Sequence, residues 1–232
     1  EQILNVLKLT HHDVIFTSGA TEANNLAIKG YCFANRSRGK HIITSATEHP
    51  SVLNTVLEMQ DFGFEVTVLP VNKEGQIEVN SLKAAIREDT ILVSLMMVNN
   101  EVGAINPIKE VGEYLKKFPK IAFHVDMVQA IGKLPIDFNN IDMFSIAGHK
   151  IHGLLGSGLL IKEKKIILKA INQGGGQENN LRSGTNTLAL SASLAKALRL
   201  AVEGEANNFK KVKALSERLL GYLKDNKDKY LI

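Results

Sequence analysis

Five side chains able to do chemistry recur at equivalent places along the sequence. Thr21, His49, Asn100, Asp126 and Lys150 each follow a short apolar, β-type run and open a turn of small or polar residues. Lys150 closes the run Met143, Phe144, Ile146, Ala147 and precedes a glycine-rich turn at Gly153, Gly156 and Gly158. A lysine there is either a surface cation or an amine in a dry pocket, which loses its proton easily and forms a Schiff base with a carbonyl. Asp126 ends the run Ile121–Val125, where a carboxylate calls for a cation, a metal or a protonated nitrogen. His124 shares its face, but no third ligand is spaced to complete a metal site, so none is expected. His49 is either a hydrogen-bonding helix start or a flat acid–base group. Asn100, beside Asn99 at the mouth of an apolar strand, needs a turn or a ligand to satisfy its amide. Ser18-Gly19-Ala20-Thr21 joins a strand to a helix, where free N–H groups and the helix dipole converge on an anion.

Each of these is ambiguous alone, but together they match one cofactor. Pyridoxal 5'-phosphate (PLP) needs a lysine for its aldehyde and an acid that keeps its pyridine nitrogen protonated. It also uses a flat group over its ring, amides for its phenolic oxygen and a phosphate cradle. All five parts are present.

The elements that must position them alternate. Strands are predicted at Val14–Thr17, His41–Thr44, Phe64–Leu69, Ile91–Val98, Ile121–Asp126 and on either side of the Lys150 turn. Helical patterns open the chain (Ile3, Leu4, Leu7) and run over 23–33, 51–59, 81–87 and onward from Pro107. The last stretch, 188–224, carries apolar residues at three-and-four spacing. Residues 174–185, GGGQENNLRSGT, are too glycine-rich to pack as an element. The predicted fold class is α/β, a three-layer sandwich around a mostly parallel seven-stranded sheet. Ligands bind such sheets at the carboxyl ends of their strands.

Composition narrows the classes further. A net charge of +4 from 28 basic and 24 acidic residues, well scattered, argues against a nucleic-acid partner. The run Lys210, Lys211, Lys213 reads as a solvated helix face. No stretch reaches the roughly 18 apolar residues of a membrane span, and no signal-peptide pattern opens the chain. One cysteine, Cys32, excludes an internal disulfide framework and reads as a small buried hydrophobe. A soluble, cytoplasmic setting is expected.

The runs TSGATEANNLAIKG (17–30), ATEHPSV (46–52), VNNEVGAINPI (98–108), HVDMVQAIGKLPID (124–137), AGHKIHG (147–153) and GGGQENNLRSGT (174–185) resemble the cysteine desulfurases of the class V aminotransferase family. The resemblance implies that Lys150 carries PLP covalently and that His49 stacks on its ring as an acid–base group. It implies that Asp126 pairs with the pyridine nitrogen and that Asn100 and Gln129 contact the ring oxygen. Ala20 (through its backbone), Thr21 and His149 would hold the phosphate, and Thr185 would reach the phosphate of the neighbouring subunit in a homodimer. The implied reaction takes L-cysteine to L-alanine and delivers sulfur, through an enzyme persulfide, to a sulfur acceptor or an iron–sulfur scaffold protein. Selenocysteine lyases and desulfinases of the family share these runs, and a non-catalytic scaffold homologue is the contrasting alternative.

Two positions depart from the family pattern. Ala147 stands where a phosphate-binding serine is usual, and Gly153-Leu154-Leu155-Gly156 replaces Gly-Pro-Lys-Gly. The first implies weaker phosphate binding, the second an altered loop beside the lysine. With Glu1 already in a helical pattern and the apolar run Tyr230-Leu231-Ile232 at the end, residues 1–232 read as a PLP-binding large domain incomplete at its start. On this reading the small domain and the persulfide cysteine lie elsewhere, and the chain alone completes no sulfur transfer.

Overall fold

Continuous apolar runs become buried strands and three-and-four patterns become the helices that cover them. The computed structural model describes residues 1–226 and Lys229, so the run Tyr230-Leu231-Ile232 lies outside the described residues. In chain order the elements are α1 (Gln2–Leu7), β1 (His12–Thr17), α2 (Ala20–Asn35), β2 (His41–Ser45), α3 (Pro50–Glu58), β3 (Glu65–Leu69), α4 (Val79–Ala85), β4 (Thr90–Met96), α5 (Ile108–Leu115), β5 (Ala122–Asp126), β6 (Met143–Ala147), β7 (Gly158–Glu163), α6 (Gln177–Asn180) and α7 (Leu188–Asp225). A 3₁₀ turn, Gly148–Ile151, follows β6.

The seven strands form one sheet in the order β1-β7-β6-β5-β4-β2-β3, with β7 antiparallel to both its neighbours and the remaining pairs parallel. The predicted mostly parallel sheet is therefore present. Six strands, β1 to β6, end on the same edge, while β7 begins there at Gly158. The order reverses between β2 and β4, which makes the gap between them the topological switch point.

Two buried clusters make the three layers. On one face α1, α4, α5 and the first half of α7 press Leu7, Leu82, Val111 and Leu194 onto Val93, Phe123 and Phe144. On the other, α2 and α3 press Leu26, Ala27, Val52 and Val56 onto Ile42, Leu92 and Met143. Removing each such leucine from water stabilises the fold by roughly 2 kcal/mol. In α3 the sequence supplies its own start: Pro50 occupies the first turn and His49 caps it by accepting the Ser51 N–H.

Three details differ from the sequence reading. Helix α4 runs over Val79–Ala85 rather than 81–87, because Ile86 is extended and the Arg87 N–H goes to Thr90 Oγ1 at 2.8 Å. Strand β4 stops at Met96, two residues early, and Val98 instead bridges Ile105. The glycine-rich stretch contains a short element after all, the turn α6, where Glu178, Asn179 and Asn180 all take positive φ. α7 is a single helix of 38 residues. Its first half is partly buried, whereas residues 206–222 are exposed on every side, Lys210, Lys211 and Lys213 included.

Candidate functional site

A cavity of about 430 Å³ opens at the switch-point edge. Ala20, Thr21, His49, Asn100, Asp126, Gln129, His149 and Lys150 all border it, so eight of the nine residues singled out from the sequence meet in one place. Thr185 is not among them: it is exposed on the 172–187 loop.

Asp126 is the buried acid of the site, 5% exposed. Its Oδ1 accepts the Val128 N–H at 3.0 Å and its Oδ2 accepts from Asn24 Nδ2 at 3.0 Å. Burial pushes its carboxyl above the usual carboxylate range despite these bonds. A group in that state gains most from a cationic partner. The same Asn24 amide also donates to Ser51 Oγ at 2.9 Å, and Ser51 Oγ lies 2.8 Å from His49 Nδ1. Because Nδ1 also accepts the Ser51 N–H, the ring carries its proton on Nε2. A continuous chain thus runs from the buried acid through Asn24 and Ser51 to the imidazole at the rim, and sets its orientation.

Behind His49 lies Glu48, 6% exposed. Its Oε1 accepts from Ser45 Oγ at 2.5 Å and from the Met96 N–H at 3.0 Å, tying the β2–α3 turn to the end of β4. Burial, with a smaller contribution from Asp126, pushes this carboxyl up to about 8.

The turn 18–21 enters α2 with Gly19 as its cap, so the N-terminus of a 16-residue helix faces the cavity. Gly158 of β7 packs so closely behind this turn that a Cβ there would stand 2.5 Å from the Gly19 carbonyl carbon. The loop 172–187 is pinned to the same turn. Arg182 Nε donates to Glu22 Oε1 at 2.8 Å, Glu22 Oε2 accepts the Ser18 N–H at 2.6 Å, and Glu178 accepts the Phe16 N–H at 2.9 Å.

His149 and Lys150 lie in the 3₁₀ turn after β6, and both are exposed. The dry surroundings expected for Lys150 are therefore not formed by this chain: the amine stands at the open rim, beside Leu155 and Gly156. Leu154 and Leu155, at the positions where the loop departs from the family pattern, are themselves exposed. Ala147 borders the cavity with no hydroxyl to offer. Cys32 is fully buried in α2 among core side chains, and burial pushes its thiol well above the ordinary range.

Sequence reasoning passed over Asn24, Ser51 and Glu48 as functional residues. Asn24 had a signal, a polar residue within the apolar stripe Ala23, Leu26, Ala27. Its partner Asp126 is 102 residues away, beyond the reach of local pattern.

The residues fit PLP. The cavity is lined by a buried carboxyl and a helix-start turn, with a lysine amine at its rim, and a Cβ at Gly19 would meet nothing within 4 Å. An open α/β sheet with this set at its switch point defines a cofactor platform built around a lysine. The chain belongs to the aminotransferase class-V family, whose model matches residues 1–232. It is 48% identical over 226 residues to a NifS/IcsS protein homolog of Lactobacillus delbrueckii subsp. bulgaricus, covering 96% of this chain and 59% of that protein. It is 48% identical over 221 residues to the mitochondrial cysteine desulfurase of Candida maltosa, covering 94% of this chain and 46% of that protein. The structure of DndA from Streptomyces lividans superposes with a TM-score of 0.90 at 39% identity, covering 96% of this chain and 64% of that one. The chain thus spans about half the length of the curated relatives it matches. Among the described residues no helix is long and apolar enough to cross a membrane.

Proposed function

We propose that the cavity holds PLP and that residues 1–232 are the cofactor-binding large domain of a cysteine desulfurase. The observation that carries this reading is the convergence of Lys150, buried Asp126, His49 and the 18–21 turn on one cavity at the switch point. Similarity to the cysteine desulfurases of a bacterium and a yeast supports it. Bound there, PLP would supply an electron sink for reactions at the α-carbon of an amino acid.

The chain's own residues divide the work. Lys150 supplies the amine for covalent attachment. Asp126 holds the pyridine nitrogen in its protonated form, and the charge it meets there relieves its own desolvation. His49 stands at the rim with a proton on Nε2, ready to give or take one at the substrate. The N–H groups of the turn at Ala20 and Thr21, the Thr21 hydroxyl and His149 hold the phosphate. Asn100 and Gln129 contact the ring oxygen, and Thr185 reaches the cofactor phosphate of a second subunit in a homodimer.

The substrate is L-cysteine, converted to L-alanine while its sulfur passes to an enzyme cysteine as a persulfide, and from there to an acceptor such as an iron–sulfur scaffold protein. Cys32 is unsuited to that role because its thiol is buried in α2. A reducing aqueous compartment, cytoplasm or, as in the yeast relative's name, a mitochondrion, suits such a protein.

Incubation with PLP is expected to produce an absorbance band near roughly 400 nm that vanishes in Lys150→Ala. An equal band in both proteins would rule out Lys150, and no band in either would rule out the cavity formed by this chain.

A further inference from the structure

Gln129 and Lys133 sit four residues apart on the turn that follows β5, and their side chains meet. The turn is held by Ala130 and Ile131 N–H bonds to the Met127 carbonyl and by Lys133 and Leu134 N–H bonds to the Ala130 carbonyl. Gly132, at φ 69°, presses against α7, where a Cβ would stand 2.6 Å from Ala201 Cβ. The backbone beneath Lys133 is therefore fixed from two sides.

Lys133 Nζ donates to Gln129 Oε1 at 2.7 Å. An ammonium has three donors and no acceptor, so it bonds only the oxygen end of an amide. The bond holds the Gln129 carbonyl on the Lys133 side, and the end left for a ligand is the NH₂. Gln129 borders the 430 Å³ cavity whereas Lys133 does not; Lys133 lines a second cavity, of about 600 Å³, that Gln129 also borders. Asn100, which also borders the cavity, donates one Nδ2 hydrogen to the Glu101 carboxylate at 2.8 Å and keeps its second for a ligand.

We infer that Lys133 is a positioning residue that turns Gln129 into a hydrogen-bond donor toward the ring oxygen of the cofactor. The inference rests on the PLP reading above. Lys133 touches neither cofactor nor substrate; it decides which end of the neighbouring amide they meet. Without it the Gln129 amide is free to rotate, and half of its orientations set oxygen against oxygen.

The test compares PLP with its analogue lacking the ring hydroxyl, by equilibrium binding to the same preparations. The readout is the ratio of the two dissociation constants. Lys133 also feels the charge of Lys150, and removing its ammonium changes both affinities together, as does any partial misfolding. Lys133→Met is expected to lower the preference for PLP by roughly tenfold, the worth of one hydrogen bond to a charged acceptor. Lys133→Arg, which still donates, is expected to keep it. In a Gln129→Met background, Lys133→Met is expected to leave the ratio unchanged. An unchanged ratio in Lys133→Met, or an equal fall in the Gln129→Met background, overturns the inference while leaving the cofactor reading intact. Failure of the parent chain to bind PLP at all overturns both.

Discussion

Glu48→Gln is expected to flatten the pH dependence of stability and to make the protein more stable in mildly alkaline solution. Glu48 is buried and its carboxyl is pushed up to about 8, from an ordinary value of 4.5. The folded protein therefore keeps a proton that the unfolded chain has lost. The contribution is fully favourable below pH 4.5, declines as pH rises, and is gone above about 8. The span corresponds to on the order of 5 kcal/mol. Asp126 is shifted in the same direction and adds to the same slope. A glutamine accepts the same bonds from Ser45 Oγ and the Met96 N–H and has no proton to lose. Urea unfolding at pH 5 and pH 9 should show wild type losing stability between the two and Glu48→Gln losing far less, the remainder being Asp126. A flat wild-type profile would mean that Glu48 ionises inside the fold without penalty, contrary to its burial.

The second large effect is a single methyl group. Gly158→Ala places a Cβ 2.5 Å from the carbonyl carbon of Gly19 and 2.6 Å from its Cα. Both atoms are backbone, so no rotamer change relieves the clash. Nor can β7 step aside, because Gly158 pairs with Thr17 on one side and Ala147 on the other. The turn that begins α2 must move instead, which distorts the proposed phosphate cradle. A loss of roughly 3 kcal/mol is expected, at the upper end of overpacking effects. Gly221→Ala is the natural contrast. It lies in α7 with nothing within 4 Å of its Cβ, so the same substitution should stabilise by roughly 0.5–1 kcal/mol through helix propensity. Thermal midpoints of the two variants should move in opposite directions. A Gly158→Ala midpoint equal to wild type would show that the cradle is not braced by β7.

Much of the fold was legible because its signals are local. Ile91–Val98 is nearly all apolar and emerged, over Thr90–Met96, as a strand buried on both faces; the alternating run ending at Leu69 emerged as the edge strand β3. Thr21, His49, Asn100, Asp126 and Lys150 converge because each lies where its strand ends, and parallel strands end together. The errors fall where side chains override pattern. Thr90 captures the Arg87 N–H and ends α4 early, and Glu178 and Arg182 tie a glycine-rich stretch to the body of the fold.

By itself the sequence determined the succession of elements and the types of side chain at strand ends, since both follow from spacings of a few residues. Only the tertiary structure decided that β7 runs against its neighbours, that Asn24 and Ser51 link Asp126 to His49, and that Lys133 occupies the carbonyl of Gln129. It also decided that Glu48 is buried while Lys150 stands open at the rim. The physical reason is that strand pairing and desolvation depend on partners brought together from far along the chain, and side-chain hydrogen bonds depend on the orientation the fold imposes. A spacing pattern carries no record of either.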